Sequence, residues 1–452
     1  MKLTDFAKIL NGKVVNLKRD EEVKGLSIDS RTLNKGELFF ALKGEKGDGH
    51  DFIGDAEKKG SAGAVVEKEV SGKNLILVED VSRSLIDFAK WKLRNFQGEK
   101  ICITGSSGKT STKELMGKIL EEEKIFKTKG NYNNLIGIPL SLWSLKGNEK
   151  FAIFEVGMSY KGEIFGISEV IRPEIAIITN IGSVHMMNFH SRRELASAKF
   201  ELVENLAEDG ILFYNGDDPL CREFSKKFCV EKRSVGFGDG NHWKIKNLKI
   251  SLNGMEFYLE GEGEKVFLKS KLISESFSYN ISFSYAVARE CGISQRVIVD
   301  KISEFSPYVH RGEVVKLKNG AVLIDDTYNS NPEALLFLLN TVFKIRGEKN
   351  LILVLGEMKE LGLISEEKHR EVGKFLKNKW GDISNLYAIS GDARFIAEEV
   401  DKMENFFESW EDCLEKVFKD IGEDSLIVIK GSRGVALDLL VEKIVEEFGI
   451  EN

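Results

Sequence analysis

The apolar positions of this chain fall into short runs, separated by stretches in which apolar residues recur at intervals of three and four. Runs of that length read as strands, and the spaced stretches as amphipathic helices. Their alternation is the signature of parallel sheets with crossover helices. Residues 1 to about 97 carry strands at 25–28, 37–41, 64–66 and 75–78 between polar helices. From about 98 the alternation becomes regular, with strands at 100–104, 151–156, 175–179 and 211–215. Between 242 and 271 it changes to a two-residue period broken at Asn253-Gly254 and at Gly261 to Gly263, which predicts a structural β-meander. A third unit begins near 309, with strands at 321–324, 351–355, 386–389 and 426–430 and helices at 335–343 and 435–448. The 452 residues thus divide into 1–97, 98–308 and 309–452, three α/β domains joined by short hinges.

Charge narrows the function classes. With 72 acidic against 65 basic residues the net charge is −7, and neither a basic stripe nor a polybasic tail suggests nucleic acid or a membrane surface. The N-terminal MKLTDFAKILNGKVV lacks the apolar core of a signal peptide, and every apolar run is far shorter than a bilayer span. Cys102, Cys221, Cys229, Cys291 and Cys413 are scattered and without C-x-x-C spacing, which points to reduced thiols and not to disulfides or zinc. The expectation is a soluble, cytoplasmic, monomeric protein without membrane insertion.

The most informative stretch is ICITGSSGKTST at 101–112, a strand, a glycine-bracketed turn and a helix start. Backbone N–H groups around Gly105, Ser106, Ser107 and Gly108 can converge on phosphate oxygens at such a helix N-terminus. Lys109 would neutralise the phosphates, and the hydroxyl of Thr110, followed by Ser111, would reach Mg²⁺. Ile103 stands where the first glycine of G-x-x-x-x-G-K-[ST] belongs, leaving the shorter G-x-x-G-K-T.

Polar residues cluster after the other strands, where open α/β sheets place ligands. Glu155 ends the run FAIFE, placed as an acid that reaches Mg²⁺ would be. Asn180, His185 and His190 follow the next strand. Ser191 and Glu194 form a capping box that predicts a helix carrying Lys199, to be read as a solvated lysine or as a partner for phosphate. In TKGNYNNLIGIPLS, the amides of Asn131, Asn133 and Asn134 either bind ligand or build turns. Asp29, Ser30 and Arg31, with Gly49 and His50 in the loop at 44–50, suit a phosphate–sugar ligand; an Asp29–Arg31 surface ion pair is the plain alternative. NGDDP at 215–219 reads as a turn. In KGSRG, Lys430, Ser432 and Arg433 either capture a carboxylate or cap a helix.

Taken together these segments resemble the Mur ligase family over nearly the whole chain. DSRTLNKGELFFALKGEKGDGHDF is similar to its uridine-nucleotide segment, TGSSGKTST to its ATP loop and GNYNNLIGIP to its substrate loop. EVGMSYKGEI, TNIGSVHMMNFHS and ELASAKFE are similar to its metal-site series, and SPYVHRGE, IDDTYNSNP, VLGEMKELG and KGSRG to its third-domain series. The resemblance implies a small UDP-sugar-binding domain, a central P-loop domain that binds ATP, and a C-terminal Rossmann-like domain. It implies an ATP-dependent ligase of peptidoglycan precursor synthesis that joins a carboxylate to an amine through an acyl phosphate.

Residue by residue, the resemblance gives Thr110 and Glu155 to one Mg²⁺ and His185 to a second, with Lys199 as a carbamylated ligand. Arg311 and Asp326 would contact ATP from the third domain, and Asn280 would lie near the adenine. Asp29, Ser30, Arg31, Gly49, His50, Asn131, Asn133 and Asn134 would hold the UDP substrate. Tyr328, Asn329, Asn331, Lys430, Ser432 and Arg433 would hold the incoming dipeptide. The third-domain motifs lean towards the branch that joins D-alanyl-D-alanine to UDP-N-acetylmuramoyl-tripeptide, since the D-N-P-R element of the branch adding the third amino acid is absent. Two segments depart from the family: YNISF puts Tyr279 and Phe283 where H-N-x-x-N is usual, and His190 stands where Gly is commoner.

Overall fold

A computed structural model describes residues 1–44 and 47–451; two residues of the glycine-rich loop at 44–50, at positions 45 and 46, lie outside them. The chain is α/β, with three parallel-dominated sheets of five, nine and six strands. The N-terminal sheet runs in the order Lys13–Val15, Leu75–Leu77, Gly63–Val66, Glu37–Phe40, Gly25–Ser27. Lys13–Val15 is its one antiparallel member. That strand escapes a hydrophobic-run reading because it is a short edge strand whose residues stay partly exposed.

In the central sheet Glu99–Thr104 lies between Ile175–Ile178 and Phe151–Glu155, parallel to both. Strands covered on both faces read as continuous apolar runs, which is why these three are plain in the sequence. Beyond Ile211–Asn215 the sheet continues through Glu231–Gly236 into the expected meander, Trp243–Ser251, Gly254–Gly261 and Glu264–Ser270. Glu231–Gly236 opens on three charged residues, and Ile125–Lys127 is only three residues long, so neither is visible from periodicity. In the C-terminal sheet, Val322–Asp326, Ser425–Lys430, Asn350–Gly356 and Asn385–Ile389 run parallel, edged by an antiparallel Glu313–Lys316.

The first two domains share a core. One face of the N-terminal sheet buries Leu33, Phe39, Ile53 and Val66 in a cluster of its own, while the other joins the central domain continuously. There Phe6 stacks on Phe88 at 5.3 Å between ring centroids, and Phe88 on Trp143 at 6.3 Å. Phe88 belongs to the helix Val81–Arg94, whose Lys92 also donates to the carbonyl of Leu145. A segment expected to end in a hinge is instead held through aromatic packing. The C-terminal domain has two large clusters and a small one around Ala388, Ala393 and Ala397, and meets the central one through Ile273, the half-buried Ile250 and Leu252, and a set of polar contacts. Among the described residues no helix is long and apolar enough to cross a membrane, and all five cysteines are free.

Candidate active site between the central and C-terminal domains

The loop after Glu99–Thr104 turns sharply into the helix Lys109–Ile119, and two glycines make the turn feasible. Gly105 has φ +147°, and a Cβ there would fall 1.8 Å from the Thr179 hydroxyl. Gly108 has φ +84°, and its Cβ would meet the Asn280 amide at 2.9 Å. Side chains at either position would break the loop's contacts with its supports. Those supports come from the end of Ile175–Ile178: Asn180 Oδ1 accepts from the Ser107 N–H at 3.0 Å, and the Thr179 hydroxyl donates to the Ser107 carbonyl at 2.6 Å. Asn280, on the helix Glu275–Glu290, donates to the Gly108 carbonyl at 2.9 Å. Asn280 therefore touches the phosphate loop itself.

Two lysines converge on one carbonyl. Lys109 Nζ donates to the Gly105 carbonyl at 2.7 Å, and Lys199 Nζ to the same oxygen at 3.1 Å. Lys199 is only 2% exposed, which removes the solvated reading. Burial lowers the pKa of Lys109, and burial together with the charge of Lys109 lowers that of Lys199 far below the ordinary lysine value. The helix Arg192–Glu204 that carries Lys199 starts at the expected Ser191, whose hydroxyl accepts from the Glu194 N–H. The return bond differs from a strict capping box, because the Glu194 carboxylate accepts from His190 N–H and not from Ser191. His190 is exposed and does not border the cavity described below.

Glu155 is 3% exposed. Its Oε1 accepts from the Asn133 amide at 3.0 Å, whereas Oε2 has no hydrogen-bond partner and lies 3.5 Å from Lys113 Nζ. A buried carboxylate oxygen without a donor suits a cation. Among the described residues no group of three or more His, Cys, Asp or Glu could form a cage of protein ligands. That donor set fits Mg²⁺, which is commonly held by one or two carboxylates plus substrate phosphates and water. His185 adopts φ +54°, and its Nδ1 lies 2.7 Å from Glu360 of the third domain, so Nε2 is the nitrogen left for a ligand.

The third domain closes the site. Arg311 Nη2 donates to the Thr110 hydroxyl at 3.1 Å, and its guanidinium lies 3.9 Å from the Tyr328 ring centroid, with Arg433 at 5.6 Å from that ring. Lys430, 3% exposed, pairs with Asp326 at 2.7 Å and donates to the Asn329 carbonyl at 2.8 Å. Asn331 caps the helix Pro332–Ile345. The capping alternative fails at Ser432, whose side chain makes no cap bond and accepts from the Lys359 N–H at 2.8 Å, tying two third-domain loops together. Asp217 in NGDDP is more than a turn residue. It accepts from the Tyr279 hydroxyl at 2.8 Å, so the chain's departure at Tyr279 cross-links the wall of the site.

A cavity of about 530 Å³ lies between these surfaces. It brings together Ser106, Ser107, Gly108, Lys109, Thr110, Ser111, Glu155, His185, Lys199 and Asn280 with Asn131, Asn133 and Asn134 from the substrate loop. From the third domain Arg311, Asp326, Tyr328, Asn329, Asn331 and Lys430 border it. Asn134 also caps the helix after its loop, accepting from Gly137 N–H at 2.8 Å, so one asparagine builds a turn while Asn133 holds Glu155. The N-terminal candidates lie apart from the cavity. Arg31 and Asp29 form an ion pair of 2.8 Å on the surface beside the buried Ser30. Gly49 leaves no room for a Cβ against the Leu42 carbonyl, and the buried His50 holds Asp48 through Nδ1 while Nε2 accepts from Glu67 N–H.

Sequence reasoning missed Lys113, which is fully buried and donates to the carbonyls of Thr128 and Gly130. The available signal was its spacing, one helical turn after Lys109 on the same face. It also missed Glu333 and Glu360, each of which meets the central domain from across the domain boundary.

Comparison with known proteins agrees with this geometry. Residues 22–92 match a model described as "Mur ligase family, catalytic domain", residues 103–288 the "Mur ligase middle domain", and residues 310–433 the "Mur ligase, glutamate ligase domain". The UDP-N-acetylmuramoyl-tripeptide–D-alanyl-D-alanine ligase of Bacillus subtilis (strain 168) is 31% identical over 98% of each chain. The Escherichia coli (strain K12) enzyme of the same name is 28% identical over 98% of each. A crystal structure of MurF from Acinetobacter baumannii superposes with a TM-score of 0.89 at 26% identity, covering 98% of both chains. MurF ligase from Thermotoga maritima in complex with ADP gives 0.84 at 27%, covering 94% of this chain and 98% of that one. With all three domains matched in order and a 31% identical relative spanning it end to end, the chain belongs to the Mur ligase family.

Proposed function

We propose that this chain uses ATP to join the free carboxylate of UDP-N-acetylmuramoyl-tripeptide to the amine of D-alanyl-D-alanine, a step of peptidoglycan precursor synthesis. The reading is supported above all by the single cavity in which a phosphate loop, a buried carboxylate and a buried lysine face Arg311 and the Asp326–Lys430 pair of another domain. Relatives named for this reaction align along the full chain.

A carboxylate is a poor electrophile and must be converted to an acyl phosphate before an amine can attack it. Its oxygen attacks the γ-phosphorus, the bond to ADP breaks, and the amine then adds to the acyl carbon and expels inorganic phosphate. Negative charge gathers when carboxylate meets γ-phosphate, and Lys109 and Arg311 would offset it. The N–H groups of Ser106, Ser107 and Gly108 would bind the phosphates, with Asn280 holding the loop's last carbonyl. Thr110, Glu155, His185 and a carbamylated Lys199 would hold Mg²⁺, which would supply Lewis-acid charge stabilisation at the phosphates. Asp29, Ser30, Arg31 and the loop bearing Gly49 and His50 would hold the uridine nucleotide away from the reacting atoms, with the substrate-loop asparagines nearer to them. Lys430 and Arg433, beside Tyr328, would receive the dipeptide carboxylate.

On this reading the chain acts as a monomer, and substrates of this kind support a cytoplasmic location. Incubation with ATP, Mg²⁺, UDP-N-acetylmuramoyl-tripeptide and single amine acceptors, with the product weighed by mass spectrometry, tests the reading. The expected product is heavier by one D-alanyl-D-alanine less water. A product formed only with a single amino acid would assign the chain to another Mur reaction, and ATP turnover indifferent to every acceptor would make it a nucleotide-driven switch.

A further inference from the structure

One polar contact between the central and third domains, made of three hydrogen bonds, uses residues given no role in the reaction. Ser183 donates from its backbone N–H to both carboxylate oxygens of Glu333 at 3.0 Å, and from its hydroxyl to Oε1 at 2.7 Å. The two lie 150 positions apart, and Ser183 is 1% exposed. Charge-assisted bonds of this kind are roughly twice as strong as neutral ones.

The contact continues into the phosphate loop. Ser106 Oγ accepts from the Gly182 N–H at 2.8 Å, and the Ser106 N–H donates to the Asn180 carbonyl at 3.0 Å. Gly182 is squeezed between the two sides: a Cβ there would stand 3.0 Å from Glu333 Oε2 and 3.4 Å from Ser106 Cβ. On the far side Glu333 sits in the first turn of Pro332–Ile345, directly after the loop that follows Asp326 and carries Tyr328. The Tyr328 N–H in turn holds the His310 carbonyl at 3.0 Å, next to Arg311. A chain of direct contacts therefore runs from the phosphate loop to the arginine that reaches back to it.

We propose that Ser183 and Glu333 are a positioning pair, the clasp through which an ordered phosphate loop fixes the third domain so that Arg311 and the dipeptide-side residues stand over the reacting atoms. The other cross-domain contacts at the cavity, Arg311 to Thr110 and His185 to Glu360, use side chains assigned to nucleotide or metal. Ser183 itself lies behind the cavity wall while Glu333 borders the cavity, so the pair joins the central domain to the wall that faces the ligands. The proposal rests on reading the site as an amide ligase.

The test compares Ser183→Ala, Glu333→Ala, Glu333→Gln and the Ser183→Ala/Glu333→Ala double variant in the full-length chain. The two alanine variants should each lose about ten- to a hundredfold in kcat, the span expected when a hydrogen bond to a charged group is removed. KM for dipeptide should rise, while KM for the UDP-tripeptide, held by the two fused domains, stays unchanged. The double variant should be no worse than the poorer single one, because both remove the same interaction. Glu333→Gln keeps an acceptor without the charge and should fall between wild type and Glu333→Ala. Small-angle X-ray scattering with a non-hydrolysable ATP analogue should show compaction in the wild type and less of it in the alanine variants. Losses that multiply in the double variant, or undiminished compaction in the singles, would overturn the clasp. If the wild type makes no ligated product, the ligase reading fails, and the scattering comparison still decides the clasp.

Discussion

The guanidinium of Arg311 spans the domain boundary to the hydroxyl of Thr110 at 3.1 Å while its face rests 3.9 Å from the ring centroid of Tyr328. Its Nε is buried without a partner, an unused donor in the cavity wall. Both the planar fork and the ring contact are properties that lysine cannot reproduce. Arg311→Lys should therefore lower kcat by roughly 10²- to 10³-fold, the usual loss when one preorganised donor to developing charge is removed. Thermal stability should hardly change. Steady-state phosphate release measures the effect, and a variant within twofold of wild type would show that Arg311 does not meet the transferring phosphoryl group.

Lys113 ties the loop that begins near Thr128 to the helix Lys109–Ile119. It donates to the Gly130 carbonyl at 2.7 Å and the Thr128 carbonyl at 3.1 Å, and its charge lies 3.5 Å from Glu155 Oε2. Lys113→Met keeps the length and removes the charge, leaving two carbonyls and a buried carboxylate unmatched. Breaking a buried pair from one side costs about 3–5 kcal/mol. Urea titration should report a loss of that order. A change below about 1 kcal/mol would mean that water already compensates Glu155 at this position.

What the sequence made legible follows from what kind of contact each residue makes. Gly105, Gly108 and Lys109 were readable because a phosphate loop imposes local spacing, and the doubly covered strands because burial on two faces leaves an unbroken apolar run. Glu333 and Glu360 were not, since an acid at a helix start or on a loop gives no sign of a partner in another domain. The same holds for Phe88: nothing local to its helix shows that Trp143 of the central domain covers it. Lys199 shows the limit most clearly. Nothing in its neighbours Ala198 and Phe200 separates a buried amine from a solvated one, and only its approach to Gly105 from a distant helix does so.

Asp217 gives a pH-dependent prediction. Burial pushes its pKa up, but the N–H groups of Phe237 and Gly238, the Tyr279 hydroxyl and the Asn241 amide outweigh it and leave the carboxyl below its usual value. A group with a depressed folded pKa contributes stability that is fully present above the unfolded value, about 3.9, and is lost as pH falls through the folded one. Asp217→Asn should therefore be less stable than wild type at pH 7, with the gap narrowing below about pH 4. Urea midpoints across that range give the answer. A gap that stays constant would show that the carboxylate charge contributes nothing.

The exposed pair of Arg31 and Asp29 separates a binding role from a merely structural one. An ion pair this open to solvent adds little stability. Arg31→Ala should leave the melting temperature within about a degree while raising KM for the uridine nucleotide several-fold, because contacts made equally before and during reaction act on KM. Unaltered KM with a lower kcat would move this segment's role elsewhere.

Lys199 carries the sharpest test. Its amine is 2% exposed, touches the Gly105 carbonyl at 3.1 Å, and is pushed by burial and by the charge of Lys109 towards the neutral form that can capture CO₂. Among the described residues no carboxylate forms an ion pair with it, so an unmodified ammonium here would be both buried and close to a second cation. A carbamate reverses that sign and would face the metal as an anion. On this reading Lys199→Ala is nearly inactive and short carboxylic acids partly restore it by filling the vacated space. Lys199→Arg should be as damaging as alanine, since it sets a fixed positive charge where an anion is needed. Wild-type protein incubated with ¹³C-bicarbonate should also show a carbamate carbon signal that both variants lack. Rescue by amines, or an arginine variant that keeps most of its activity, would return Lys199 to the role of a cation facing phosphate, because only a cation's function survives replacement by another cation.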